Sequence, residues 1–485
     1  MKDPPPVHPV ATDARRPGAP PSRHGSSKPK CFRPDRLLYT QSCVRARVQE
    51  KHSVALIVVD TLREDFAHGL EKLEGMGFAR FSNVVSTSSW TLPSHVSMFT
   101  GELPSRHFVH VSLGVHMGTI MQRSRAGLQG SKDNVLRTMK DRGYKRYCFT
   151  CNPFVTPAFG FEFDWDREYS SKVEASQLRG VIPHDGSIGS KAWAALKDGR
   201  FAPLLKEAAR KARLFINRKL NRPVRDKGSR QALSDLRTAD LHAPYFVYLN
   251  LMEAHEPYRW GERKDFTRLS MLKLPVEDMG WNRGYPEGAG IAIGRALEAV
   301  EELLRRDDPM IIITSDHGQL LGEGGRYGHG YHMDEELLRV PLYVRFPSGT
   351  DLPSQTGDVV SLAEIHSLIS WATGAPVRGI GSREAFAEGF GPHYDLSMYI
   401  TGDGKARELE KLYEVKRRVF SKDGSVLYNM STHAQEESKG TSKEEGARLA
   451  GLAEALGMPQ APPDEAFAAG DEAGLIERLS KLGYV

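Results

Sequence analysis

Four cysteines in 485 residues are too few to staple a chain of this size, so a disulfide scaffold is excluded. Cys148-x-x-Cys151 has no second Cys-x-x-Cys to follow it, which removes a four-thiolate zinc site and leaves the two thiols as packing residues of a strand. Long apolar runs are missing too. The best, Val54 to Val59, ends at once in Asp60 and falls far short of the roughly 20 residues that span a bilayer. The first fifty residues carry Pro, Arg and Lys without an apolar stretch, so they read as a disordered tail or an over-extended translation start rather than a secretory signal. The expected compartment is cytoplasmic. A net charge of +5 is too small to demand a nucleic-acid partner, and no internal repeat is evident.

What is present is a set of short, largely apolar strands that end in polar residues. Val54–Val59 is β-branched and aliphatic throughout, the pattern of a strand buried on both faces of a parallel sheet, and it releases Asp60-Thr-Leu-Arg-Glu-Asp65. Pro244–Met252 releases Glu253-Ala-His255-Glu-Pro-Tyr258, and Pro309–Thr314 releases Ser315-Asp316-His317-Gly318. Tyr144–Cys151 reads as a further strand running into Asn152, with helices predicted over 133–142 and 288–306. Ligands of open α/β sheets gather outside the carboxyl ends of strands, so Asp60 stands where a metal ligand would, and three strands deposit Asp, His and Asp-His on one edge.

Ser88-Ser89-Trp90-Thr91-Leu92-Pro93-Ser94-His95 precedes an apolar run closed by Gly101, which delivers Thr91 to a helix N-terminus. Orphan N–H groups there favour an anion, so an anionic ester can be held beside the Thr91 hydroxyl. Taken alone the stretch is equally an ordinary capped helix start, and a threonine nucleophile needs a base or a metal to activate it. Residues 187 to 240 are charged and helical in pattern, most basic from Arg200 to Arg230, and suit either a solvated helix face or docking on an acidic surface. Beyond residue 376, short pieces at 396–401, 411–421 and 425–429 with Gly-rich turns predict a small antiparallel sheet, followed by helices at 442–456 and 473–482.

Five motifs in this order resemble the sulfatase family of the alkaline phosphatase superfamily: Asp60 to Asp65, Thr91-Leu-Pro-Ser-His95 with Thr100-Gly101, Met252-Glu-Ala-His255, Ser315 to Gly318 with Leu321-Gly-Glu323, and Gly328-His329-Gly330 followed by Arg339-Val-Pro-Leu342. Leu482-Gly-Tyr-Val485 resembles the usual end of such chains. The resemblance implies an α/β fold, a doubly wound, mostly parallel sheet over residues 51–375, with a small C-terminal antiparallel-sheet plus helix subdomain over 376–485. It also implies one divalent metal held by Asp60, Asp316, His317 and the Thr91 hydroxyl.

The departures from the family sharpen the expectation. Sulfatases carry at position 91 a cysteine that becomes formylglycine, and Thr91 cannot be so converted; they have a second Asp where Thr61 stands, Arg where His95 stands and Lys where His329 stands. Threonine at this place is similar to the phosphodiesterase and phosphoethanolamine-transferase branches, which form a phospho-threonine. Thr91, His255 and His329 are then expected as catalytic groups, with His95 and Asn152 as substrate-binding groups. The nitrogen of His317 favours Mn²⁺ or Zn²⁺ over Ca²⁺. The expected reaction is hydrolysis of a phosphodiester, because one dication suits a singly charged centre; sulfate-ester hydrolysis and transfer of a phosphoryl head group are the alternatives. The expected partner is a small or lipid-linked anionic ester, with no nucleic acid; the oligomeric state is not legible.

Overall fold

The computed structural model describes residues 51–111, 117–169, 215–262, 280–350, 354–375, 379–392 and 410–457, with isolated positions at 209 and 212–213. The N-terminal stretch, the pieces at 396–401 and 473–482, the closing Leu482–Val485 and most of the basic stretch before residue 209 lie outside the described residues.

Seven strands form the main sheet: β1 Val54–Val59, β2 Ala79–Phe81, β3 Lys145–Thr150, β4 Trp165–Glu168, β5 Tyr245–Leu251, β6 Met310–Thr314 and β7 Leu342–Arg345. Their order is β2-β7-β6-β1-β5-β3-β4. Only β7 runs antiparallel, to both β6 and β2; every other neighbouring pair is parallel. Strand β1 is central, with Val54 in register with both Phe246 and Met310, so the three apolar runs singled out from sequence are adjacent and point the same way. Asp60 continues the ladder by donating its N–H to the Leu251 carbonyl.

Successive side chains of a strand face opposite sides, and both sides are covered here, which is why the central strands β1, β5 and β6 read as largely apolar runs. Leu56, Val58 and Ile312 pack beneath helices α1 Thr91–Thr100, α2 Met117–Gly130 and α3 Val135–Asp141 through Val96, Phe99, Ile120 and Val135. Ala55, Ile57 and Ile313 pack against α4 Ser229–Thr238 and α5 Trp281–Leu304 on the other face. The predicted α/β fold, doubly wound around a mostly parallel sheet, is what the chain forms. Among the described residues no helix is long and apolar enough to cross a membrane.

Helix α5 starts at Trp281, seven residues before the predicted start, and runs through Gly284, Pro286 and Gly288. Gly and Pro look like helix breakers locally, but here tertiary packing decides. A Cβ on Gly288 would lie 2.2 Å from the Glu253 carbonyl oxygen, so glycine is what lets the helix approach the loop carrying His255.

A second sheet is an antiparallel meander of β8 Ala385–Gly389, β9 Lys416–Phe420, β10 Ser425–Asn429 and β11 Ala434–Lys439, covered on one face by α6 Lys443–Ala455. Strand β11 escapes a sequence reading because it is a polar edge strand, and β8 because Ala-Phe-Ala-Glu-Gly carries almost no β-branched signal. The opposite face of this sheet packs through Ala385, Ala387 and Phe420 on Val85, Leu320 and Leu337 of the larger layer. Glu388 is the latch: its N–H donates to the Thr87 carbonyl at 2.9 Å, and its carboxylate accepts from the Ser105 N–H at 2.7 Å and from Arg417 at 2.6 Å. The two ends of the loop and helix that bear Thr91 are thereby tied to the smaller sheet.

Both members of the Glu388–Arg417 pair are buried, so removing one leaves an unpaired charge in the interior. Glu388→Ala is expected to cost about 3 kcal/mol or more of unfolding free energy, read from urea denaturation.

Candidate functional site

The carboxyl edge of the main sheet gathers the polar residues that follow β1, β3, β5 and β6. Asp60, Asp316 and His317 are fully buried, and each offers a ligand atom within 4.8 Å of the others. Thr91 is the first residue of α1, with Trp90 in extended conformation before it, as the Thr-x-Pro-Ser pattern predicts. Its Oγ1 lies 3.3 Å from His317 Nε2 and 3.4 Å from Asn152 Nδ2. Asn152, at the end of β3, also donates from Nδ2 to Asp60 Oδ2 at 2.7 Å.

Local hydrogen bonds set these positions. Asp316 Oδ1 accepts the N–H groups of Thr61 at 3.2 Å and His317 at 3.0 Å. To present its N–H, Thr61 adopts φ 61°, a costly conformation for a β-branched residue and of the kind found where structure is built for function. The Thr61 hydroxyl turns back to the Asp60 carbonyl at 2.7 Å and is engaged there. Ser86 Oγ donates to the Asp316 carbonyl and lies 2.9 Å from Ser94 Oγ, binding the start of α1 to the end of β6. A Cβ on Gly318 would sit 2.0 Å from the Glu336 carbonyl oxygen, so only glycine can follow His317 here.

Asp60 Oδ1 and Asp316 Oδ2 are buried and have no hydrogen-bond partner among the described residues. Burial and the neighbouring Asp316 carboxylate push the Asp60 carboxyl up to about 6, and burial pushes Asp316 up to about 6. His317 donates Nδ1–H to the Gly318 carbonyl at 2.9 Å, and burial lowers its pKa, so it is a neutral imidazole whose Nε2 lone pair faces Thr91. Two unpartnered carboxylate oxygens, an imidazole nitrogen and a hydroxyl are a donor set that fits a divalent cation accepting oxygen and nitrogen.

His255 and His329 stand beside this centre. Their rings are 4.9 Å apart, and the His329 ring is 4.6 Å from that of His317. Each has its Nδ1 occupied, by the Glu256 carbonyl at 2.6 Å and by Gln319 Oε1 at 2.7 Å. Gln319 also donates to Glu256 at 2.8 Å, completing a second group of His255, Glu256 and His329 with ligand atoms within 4.8 Å. Gln319 and Glu256 lie one residue beyond motif residues and carry no signal of their own. Lys227 was equally illegible within its basic stretch. It is buried, donates to the Glu253 and His255 carbonyls, and is held down to about 8 by desolvation.

Asp60, Thr91, Asn152, His255, Asp316, His317 and His329 are thus brought together. His95 is not placed as a substrate group. Its Nδ1 donates to the Thr91 carbonyl at 2.8 Å, its Nε2 accepts from Tyr248 at 2.7 Å, and burial holds it down to about 3. It sits under the first turn of α1 as a neutral support.

No family model matches the chain. Among solved structures, a 2-O GAG sulfatase superposes with a TM-score of 0.50 at 12% identity, covering 89% of this chain and 91% of that one. The chain has a sulfatase fold. The phosphonate monoester hydrolase of Agrobacterium radiobacter gives a TM-score of 0.49 at 14% identity over 84% of this chain and 94% of that one. In sequence, a segment is 30% identical over 111 residues to the low-salt glycan biosynthesis sulfotransferase Agl7 of Haloferax volcanii, covering 21% of this chain. The chain spans 27% of the length of that curated relative. That likeness is one of fold; the residues at the carboxyl edge are this chain's own.

Two buried carboxylates with raised pKa values oppose folding once both must ionise. A raised carboxyl pKa gives stability that is full below about 4 and lost as pH rises through about 6. Buried His95, held neutral, works in the opposite sense, so the effect must be read as a difference between proteins. Asp60→Asn is expected to make the metal-stripped protein more stable at pH 7.5, by about 1–3 kcal/mol, with the difference vanishing near pH 4. Urea titrations of both proteins at the two pH values check this.

Proposed function

We propose that the chain is a metal-dependent ester hydrolase of the sulfatase and alkaline phosphatase superfamily that cleaves a phosphodiester through Thr91. The observation carrying this reading is the Thr91 hydroxyl at a helix N-terminus, 3.3 Å from His317 Nε2 and facing the group that contains two unpartnered carboxylate oxygens. Asp60, Asp316, His317 and the Thr91 hydroxyl would hold the cation. When bound, it supplies Lewis acidity, favouring the ionised hydroxyl and drawing charge from a phosphoryl oxygen.

Thr91 Oγ1, its proton released to water as the hydroxyl ionises, attacks phosphorus in line, forming a P–O bond to the enzyme as the bond to the leaving alcohol breaks. Asn152 Nδ2, between Asp60 and Thr91, fixes the attacking oxygen and can donate to the transferred group. His255 and His329, whose Nδ1 atoms are already engaged, stand beside the His317 ring and each other, and one of them gives a proton from Nε2 to the leaving oxygen. Water then cleaves the phospho-threonine and regenerates the hydroxyl, releasing a phosphate monoester. Lys227 holds the carbonyls on either side of Ala254 and keeps the His255 loop in place.

The residue at 91 disfavours sulfate chemistry, since no formylglycine can form there. The fold is nevertheless that of a sulfatase, so substrates should be compared directly on one purified enzyme: bis-aryl phosphate, aryl phosphate and aryl sulfate, each with Mn²⁺, Zn²⁺, Ca²⁺ and Mg²⁺. The diester is expected to turn over fastest. After metal stripping, Mn²⁺ or Zn²⁺ is expected to restore activity and Ca²⁺ alone is not, because His317 contributes nitrogen. Faster turnover of the sulfate would overturn the assignment. Thr91→Ala should keep its melting temperature and lose about a thousandfold or more in kcat, whereas Thr91→Ser retains part of the activity because the attacking oxygen remains. Equal diester turnover by Thr91→Ala would exclude threonine as nucleophile and leave an activated water in its place.

A further inference from the structure

The geometry points to a lipid-docking surface on the basic stretch: we propose that the helical segment over residues 215–219, with Leu220, seats this protein on an anionic membrane surface. Phe215, Ile216 and Leu220 are 67%, 46% and 58% exposed, large apolar side chains of a kind that a water-facing helix normally hides. At the helical step of 100° they fall with Lys219 within one arc of about 140°, and Asn217, next beyond Leu220, is buried. Arg213, Arg218, Lys219 and Arg222 surround them and are all exposed.

The charge is concentrated here. From Arg200 to Arg230 the sequence holds eleven Lys or Arg and two acidic residues, a net charge of +9, so the rest of the chain is net −4. An exposed arc of Phe, Ile and Leu edged with Lys and Arg matches a headgroup boundary, where the apolar side chains enter the acyl region and the long cationic ones extend to phosphates. A nucleic acid would meet the charge but leave Phe215, Ile216 and Leu220 in water, which is why lipid is favoured.

The segment is joined firmly to the site. Val224 donates its N–H to the Tyr258 carbonyl at 2.8 Å, and Trp260 donates to Arg222 at 2.9 Å. Lys227 N–H reaches Glu253 at 2.9 Å. Docking through residues 215–220 therefore holds the 253–260 loop, with His255, close to lipid headgroups. This inference does not need the catalytic reading, since vesicle binding is measured without turnover.

The test is sedimentation of the full chain with vesicles of phosphatidylcholine alone and of phosphatidylcholine with an equal part of phosphatidylglycerol. Binding is expected only to the anionic vesicles, falling as salt is raised. The Phe215→Ser, Ile216→Ser, Leu220→Ser triple variant should bind about tenfold or more weakly with an unchanged melting temperature. If the triple variant is altered in folding, Phe215→Trp replaces it: the added fluorescence should shift to the blue on mixing with anionic vesicles. Equal binding to both vesicle types, undiminished binding of a folded triple variant, or an unshifted Trp spectrum would each overturn the proposal.

Discussion

Two carboxylates brought together out of water are the constraint around which this molecule is built. Asp60 and Asp316 are both fully buried, each has one oxygen without a hydrogen-bond partner among the described residues, burial raises the cost of ionising either, and Asp316 adds to that cost at Asp60. Nothing in the economy of folding would assemble such a pair; a polar interior group is normally satisfied. They are held because β1 and β6 are adjacent and parallel, so the residues that follow them must emerge side by side. Strain at Thr61, the close approach at Gly318 and the Ser86–Ser94 link are local consequences of keeping the pair in register with Thr91.

The remaining architecture serves the same edge from three directions. Helix α5 presses on the His255 loop at Gly288, and Lys227 grips that loop from outside through two carbonyls. The smaller sheet reaches the loop before Thr91 through the main chain of Glu388 and the turn after α1 through its carboxylate. His95 and Tyr248 fill the space under the first turn of α1 with a closed hydrogen-bond chain rather than with an exposed cation. A nucleophile has to be aimed, and each of these contacts removes a freedom from the elements that aim it.

The His255, Glu256, Gln319 and His329 network is a second polar layer in contact with the first through the His317 and His329 rings. With both Nδ1 atoms engaged, each imidazole has Nε2 left as the nitrogen that can deliver a proton or orient an anion.

The doubly wound α/β sheet was legible in the sequence, because strands buried on both faces are apolar at nearly every position, as Val54–Val59, Tyr245–Leu251 (but for Asn250) and Met310–Thr314 (but for Thr314) are. The same runs located Asp60, His255, Asp316 and His317, since polar residues at once after such strands can only emerge at the carboxyl edge, and the helix-start pattern located Thr91. Contacts between residues distant in sequence were not legible. Gly288 looked like a break until Glu253 lay across it, and His95 looked like a site residue until Tyr248 and the Thr91 carbonyl took both of its nitrogens. Glu256, Gln319 and Lys227 acquired roles only from neighbours supplied by other loops. Periodicity along a chain records which face is buried, whereas partners across space are chosen by packing, and packing belongs to the tertiary structure alone.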